Sequence, residues 1–154
     1  MNRKELRMPE KETLERAAED KAEGKSPSTQ AGEFVREEIE HIREGKHGAR
    51  SAKQAIAIGL SKARRAGVKL PPPEKGQAST RTREQAKRDV KKGKKAAKKP
   101  SAKRSRATLN ALKREGHSAA SKTALSRQAH KAAAKRSAAS RSRSAKKAAA
   151  TRKK

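Results

Sequence analysis

The chain has 154 residues and carries 44 Lys and Arg against 16 Asp and Glu, a formal charge of +28, and an excess of that size is neutralised by a polyanion or repels itself. Leu, Ile, Val and Phe together number only 15, too few at this charge to offset the ordering entropy of the whole chain, so the expected class is mostly α and disordered. The absence of Cys excludes disulfides, thiolate zinc sites and cysteine nucleophiles; no apolar run approaches the roughly 18 residues of a membrane span, and Met1-Asn2-Arg3-Lys4-Glu5 lacks the apolar stretch of a secretory signal.

Charge climbs along the chain. Residues 1–74 hold 16 bases and 13 acids, whereas residues 75–154 hold 28 bases and 3 acids. The expected layout is a charged helical arm over 1–24, an αα-hairpin over 25–70, a proline linker over 71–76 and a basic low-complexity tail over 77–154. From Pro9 to Glu23 the sequence reads as a helix, with Pro in its first turn, acids near its start and Gly24 at its end. Leu14 is its only large apolar residue, so the arm is expected to be solvated and to become helical partly or on contact.

Ser26 to Leu70 contains nine of the large aliphatic or aromatic residues and is the one segment suited to a folded module. Ser26 or Ser28 can cap a helix with Pro27 near its start, and Ala31, Val35, Glu38/Ile39 and Ile42 recur at helical spacing until Gly45. Phe34 widens that face. Ser51-Ala-Lys-Gln54 is a capping box, in which hydroxyl and amide satisfy orphan backbone donors. The helix that it opens runs to Gly67, with Val68 able to pack back on that end. Ala52, Ala55, Ile56, Gly59, Leu60, Ala63 and Ala66 form a small-residue stripe that permits close helix approach; Ile58 falls off it. Pro71-Pro72-Pro73 makes a stiff boundary. A core of this size is marginal for a monomer, so residues 26–70 are expected to be able to pair as a homodimer.

Beyond Lys75 the chain is largely Lys, Arg, Ala and Ser, with Val90, Leu109, Leu112 and Leu125 as its only large apolar residues. No core is expected there. Arg104–Glu115 and Ser118–Arg136, split by Gly116, have the propensity to become helical once phosphates relieve their repulsion. Ser118-Ala-Ala-Ser-Lys122 returns as Ser137-Ala-Ala-Ser-Arg141, a weak repeat within a biased composition.

The stretch Lys25-Ser-Pro-Ser-Thr-Gln-Ala-Gly-Glu-Phe-Val-Arg-Glu-Glu, then His41-Ile-Arg-Glu-Gly-Lys-His-Gly-Ala-Arg50 and Lys53-Gln-Ala-Ile-Ala-Ile-Gly-Leu-Ser-Lys-Ala-Arg-Arg-Ala-Gly67, resembles small bacterial proteins of unknown function loosely labelled plasmid-stabilisation proteins. The resemblance covers residues 25–73 and implies DNA association without supplying catalytic or ligand residues. Ala111 to Ala139 looks like the usual basic extension of those proteins. Lys91-Lys-Gly-Lys-Lys-Ala-Ala-Lys-Lys-Pro-Ser-Ala-Lys-Arg104 resembles the tails of linker histones and bacterial histone-like proteins, which act through charge density.

The function expected is largely sequence-nonspecific DNA binding by neutralisation of the phosphate backbone, with duplex DNA preferred, in the bacterial cytoplasm at the nucleoid or in plasmid maintenance. With no Trp or Tyr and one Phe, the chain lacks the aromatic platforms on which RNA and single strands stack. An RNA- or ribosome-associated role is the alternative, and a polybasic membrane-surface or assembly factor comes third. In the hairpin the candidate contacts are Lys46, Arg50, Lys53, Arg64 and Arg65. Lys46, His47, Arg50 and Lys53 surround the capped helix start at Ser51, where free amides favour a phosphate, although a solvated basic turn accounts for them as well.

Early in the tail the candidates are Lys91, Lys92, Lys94, Lys95, Lys98 and Lys99. Lys103, Arg104, Arg106, Lys113 and Arg114 follow. Lys135, Arg136, Arg141, Arg143, Lys146, Lys147 and Arg152 complete the set. His41, His47, His117 and His130 include no pair at i,i+3 or i,i+4 and have no Cys to complete a set, so neither a metal nor any other cofactor is expected. Nothing provides a pocket or an oriented base, and no enzymatic activity is expected.

Overall fold

The computed structural model describes residues 8–95 and 101–152. The expectations for the first five residues and for Lys98 and Lys99 lie outside them. The described chain is all-helical, in the order α1 (Lys11–Ala22), α2 (Pro27–Arg43), α3 (Ala52–Arg65), α4 (Thr80–Gly93), α5 (Ala102–Lys113), a single 3-10 turn at Ser118–Ala120, α6 (Lys122–Ala134) and α7 (Ala138–Arg152).

Helix ends follow local chemistry. Ser26 caps α2, accepting from the Thr29 amide, and Pro27 occupies the first turn. Ser51 caps α3 by accepting from the Gln54 amide at 3.2 Å, while the Gln54 side chain accepts from the Arg50 amide at 2.7 Å. That return bond falls one residue earlier than in an ideal capping box. Gly24, Gly45 and Gly67 end α1, α2 and α3 at positive φ, each followed by an amide that reaches back across the last turn: Lys25 to Asp20, Lys46 to His41 and Val68 to Ala63. This double-bonded termination satisfies otherwise orphaned carbonyls.

The core lies between α2 and α3. One cluster joins Ala31 and Phe34 to Ala63, with Leu60 and Val68 against them; the other joins Ile39 and Ile42 to Ala55. Early α2 thus meets late α3 and late α2 meets early α3, which is the antiparallel order of a helical hairpin. Their close approach requires Gly59, where a Cβ would fall 2.6 Å from the Val35 Cα. Ile56 and Ile58 are partly buried at the margins.

Two expectations need correction. The acidic arm does not stand off in solvent, because α1 buries Thr13, Ala17 and Asp20 and is held to α2 by polar pairs: Arg16 Nε to Glu33 at 2.7 Å, the Glu10 amide to Glu37 at 3.1 Å and Glu10 to His41 at 2.8 Å. Leu14, the one large apolar residue of the arm, is 42 % exposed. Small and polar side chains allow the backbones close, and hydrogen bonds substitute for the missing apolar area.

Nor are residues 80–93 and 112–125 of the tail a disordered, coreless extension. Helix α4 packs on α3 through buried Ala86 and Asp89, the latter accepting from Ser61 at 2.6 Å and from Gln85 at 3.1 Å. Gly93 lies flat against the Arg64 carbonyl, where a Cβ would clash. Farther on, Ala119 and Ala120 are buried in the cluster with Ile39, Ile42 and Ala55, and Leu125 packs beside them.

The turn at residues 115–116 docks on the α2–α3 loop, whose Gly48 and Ala49 amides donate to the carbonyls of Leu112 and Gly116 at 3.0 and 3.1 Å. Only glycine at 48 leaves room for that approach. The Arg43 guanidinium adds a bond to the Ala120 carbonyl at 3.0 Å. The chain therefore covers the hairpin's own apolar faces, meeting within one molecule the need that pointed to pairing of residues 26–70.

Candidate nucleic-acid interface

The basic residues expected to meet nucleic acid separate into three groups. Most stand exposed on helices: Lys53 on α3, Lys91 and Lys92 on α4, Lys103, Arg104, Arg106 and Lys113 on α5, and Arg141, Arg143, Lys146, Lys147 and Arg152 on α7, with Lys94, Lys95, Arg114 and Lys135 just past helix ends. No residue of α5 is fully buried, and along α7 nearly every position whose side chain is described faces solvent. Exposed cations are able to meet phosphates, which is what charge neutralisation needs.

A second group is exposed or half-buried and held by side chains or carbonyls that can be named. Lys46 bridges Glu44 at 2.9 Å and Glu10 at 3.3 Å, which together hold its ammonium above the usual lysine range against the opposing pull of burial. Arg65 donates to the Ser61 carbonyl at 3.3 Å and lies 3.9 Å from Asp89. Arg50 reaches Glu115 at 3.7 Å, and Arg136 is bonded to Ser140 and Ser144.

Arg64 forms the third group. It is buried, and its guanidinium donates to the Leu70 and Pro71 carbonyls, pinning the chain that leaves α3; it is not presented to a ligand. His47 likewise leaves the basic cluster around Ser51, because it lies inside the protein. Arg50 and Lys53 remain exposed beside the capped start of α3.

Acid placement sharpens the contrast. After Glu74 the only acids are Glu84, Asp89 and Glu115, and these are met by Arg88, by Ser61 and Gln85, and by Arg50. Within residues 75–154 the bases of α5–α7 thus share three acidic side chains in all.

Beneath this surface lies a buried ionic cluster that composition alone does not reveal. Lys62 of α3 projects between Glu37 and Glu38 of α2, with Nζ 3.2 Å from Glu37 Oε1 and 2.8 Å from Glu38 Oε2. The other oxygen of Glu38 is 3.1 Å from His47 Nε2. Burial alone raises the Glu38 carboxyl, but its hydrogen bond with His47 and the charge of Lys62 outweigh that and hold it below the usual carboxylate range. For His47, burial works against the imidazolium, and the bonds to Glu38 and to the Gly48 carbonyl reverse it, leaving the ring above its ordinary value.

His41 completes the group, its ring centroid 6.2 Å from that of His47 and nearly perpendicular to it. One ligand atom each of Glu38, His41 and His47 lies within 4.8 Å of the other two. Spacing between histidines could not show this set; its legible half is Glu38-x-x-His41, one turn apart on one helix face.

Neither a curated protein nor a solved structure matches the chain. Residues 20–75, which hold the end of α1, the α2–α3 hairpin and the proline segment, match a family of unknown function (DUF6496).

Proposed function

We propose that the protein is a non-enzymatic, largely sequence-nonspecific nucleic-acid binder that prefers duplex DNA, acting at the bacterial nucleoid or in plasmid maintenance. The observation that carries this reading is the separation of charge: 28 bases against 3 acids after Glu74, with the bases of α5 and α7 exposed to solvent. Each cation that meets a duplex phosphate releases condensed counterions, so affinity falls with log salt at a slope of about −0.9 per contact. The lack of Trp and Tyr argues against stacking on single strands. The helical frame adds a feature that a flexible tail would not have, since cations fixed on helices lose less side-chain and backbone freedom on binding.

The test is a salt titration of full-length protein on labelled duplex DNA, with structured RNA as competitor. If about 6–10 phosphates are engaged, affinity falls by roughly 10³ to 10⁵ between 50 and 200 mM salt. A shallow slope sinks the phosphate reading, and effective competition by RNA moves the protein to the RNA- or ribosome-associated class. Tight, salt-resistant binding to anionic vesicles moves it to the membrane surface.

A further inference from the structure

We infer that Glu38, His41 and His47 form a binding site for one divalent transition-metal ion, of which Zn²⁺ is the natural occupant by ligand chemistry. All three residues are at least 98 % buried, so the ion would be enclosed by the protein.

Hydrogen bonds orient both rings. Nδ1 of His47 is 3.0 Å from the Gly48 carbonyl, which only accepts, so that nitrogen carries a hydrogen. Nε2 then faces Glu38 Oε1 at 3.1 Å. A bare nitrogen lone pair and a carboxylate oxygen repel at that distance; a cation, either a proton or a metal, belongs between them.

His41 distinguishes the two. Its Nε2 is 2.8 Å from Glu10 Oε1, to which it donates, and its Nδ1 is buried with no partner. A buried acceptor left unpaired loses its hydration with nothing in return. A proton bridges two atoms and would leave His41 Nδ1 orphaned, whereas a metal ion takes all three. Carboxylate–imidazole–metal and carbonyl–imidazole–metal chains are the arrangements that fix the ring orientation of ligating histidines. Here Glu10 and Gly48 supply them.

The remaining geometry fits. Tetrahedral zinc with bonds of about 2.0–2.2 Å brings its ligand atoms to about 3.4 Å apart, so atoms now within 4.8 Å close by little more than 1 Å. Two imidazoles and one carboxylate are a zinc set, with the fourth position left for water. Lys62 neutralises one of the two carboxylates that it touches, and Glu37, Glu38 and Lys62 together retain one negative charge for the dication. On binding, Glu38 would keep its contact with Lys62 through Oε2, and the metal would replace the proton between Oε1 and His47 Nε2, which leaves to solvent.

The ion would tie α2 to the loop whose Gly48 and Ala49 amides hold the 112–116 turn, and, through Glu10, to the chain entering α1. Metal binding at this site is independent of nucleic-acid binding and survives its failure.

Full-length protein, stripped by chelator, is titrated with Zn²⁺ against a chromophoric competitor and with Co²⁺ followed by visible absorption. One equivalent per chain, the intense bands of tetrahedral Co²⁺ and a raised Tm on Zn²⁺ addition are expected. His41→Gln should weaken binding at least tenfold. Glu10→Ala, a surface change that leaves the ligands in place, should cost about 10–100-fold through the lost second hydrogen bond, and decides the matter if His41→Gln does not fold. His117→Gln with His130→Gln, both exposed, should leave binding unchanged. No competition by the wild-type protein, binding that survives both His41→Gln and Glu10→Ala, or binding abolished instead by the His117/His130 pair overturns the inference.

Discussion

Within the α2–α3 pair charge lies inside: Lys62 is 4 % exposed and sits between two carboxylates that are buried more completely still. Along α5 and α7 charge lies outside, on helices with almost no apolar surface to bury. The same ammonium does opposite work in the two regions. A buried cation is constrained by partners it cannot lose, and an exposed one is free to exchange water and counterions for phosphate. Lysine content alone is therefore a poor guide to what a lysine does in this chain; the acids around it and its depth decide.

The sharpest way to break that comparison is Lys62→Met, which fits the stem but strands Glu37 and Glu38. Loss of about 3–5 kcal/mol is expected, as for any buried pair deprived of one partner, read by denaturant unfolding; a near-neutral result would mean that the carboxylates hold protons or another cation. Gly59→Val tests the packing half. With Val35 backbone 2.6 Å from the added Cβ, overpacking should cost about 1–3 kcal/mol, and more if the helices cannot separate.

The opposite outcome is expected outside. Replacing Lys91, Lys92, Lys94 and Lys95 together by Ala should leave unfolding unchanged within experimental error, yet reduce the salt slope of DNA binding by up to about 3.6 if all four meet phosphates. A change in stability with no change in slope would reverse the assignment of that segment.

A smaller effect follows from His47 in chelator-treated protein. Its folded value lies above the ordinary 6.5, so its contribution is complete below that pH and is lost as pH rises through the elevated folded value. Glu38 works in the other direction: held below 4.5, it stabilises above that pH and the effect fades as pH falls through its lowered folded value. Stability should thus decline on the alkaline side, and His47→Gln should flatten that decline. A slope identical in the two proteins would show that His47 does not titrate with folding.

Much of the exposed basic surface is legible in the sequence. Lys92 and Arg141 are exposed in segments with few apolar residues to cover them, and Lys53 falls off the small-residue stripe of α3, so local pattern is enough to place all three. Arg64 is not legible: it sits in the same basic run as Arg65, yet one residue's rotation around α3 turns it inward onto the Leu70 and Pro71 carbonyls. The docking of α4 and of residues 119–125 escapes sequence reading for a different reason. Those segments bury alanines, an aspartate and one leucine, residue types that an apolar count scores as surface.

The amino-acid order determines by itself the caps at Ser26 and Ser51, the ends at Gly24, Gly45 and Gly67, the pairing of α2 with α3 and the charge of the C-terminal half. These depend on partners within about one helical turn, on a repeat of about 3.6 residues or on a sum over residues. Tertiary structure alone decided that Glu38, His41 and His47 meet around a buried point, that Lys62 lies among carboxylates and that α4 and residues 112–125 dock on the hairpin. Each depends on the register in which separate segments pack, and in a chain rich in Ala, Lys and Glu many registers look equally apolar until hydrogen bonds and close glycine contacts select one.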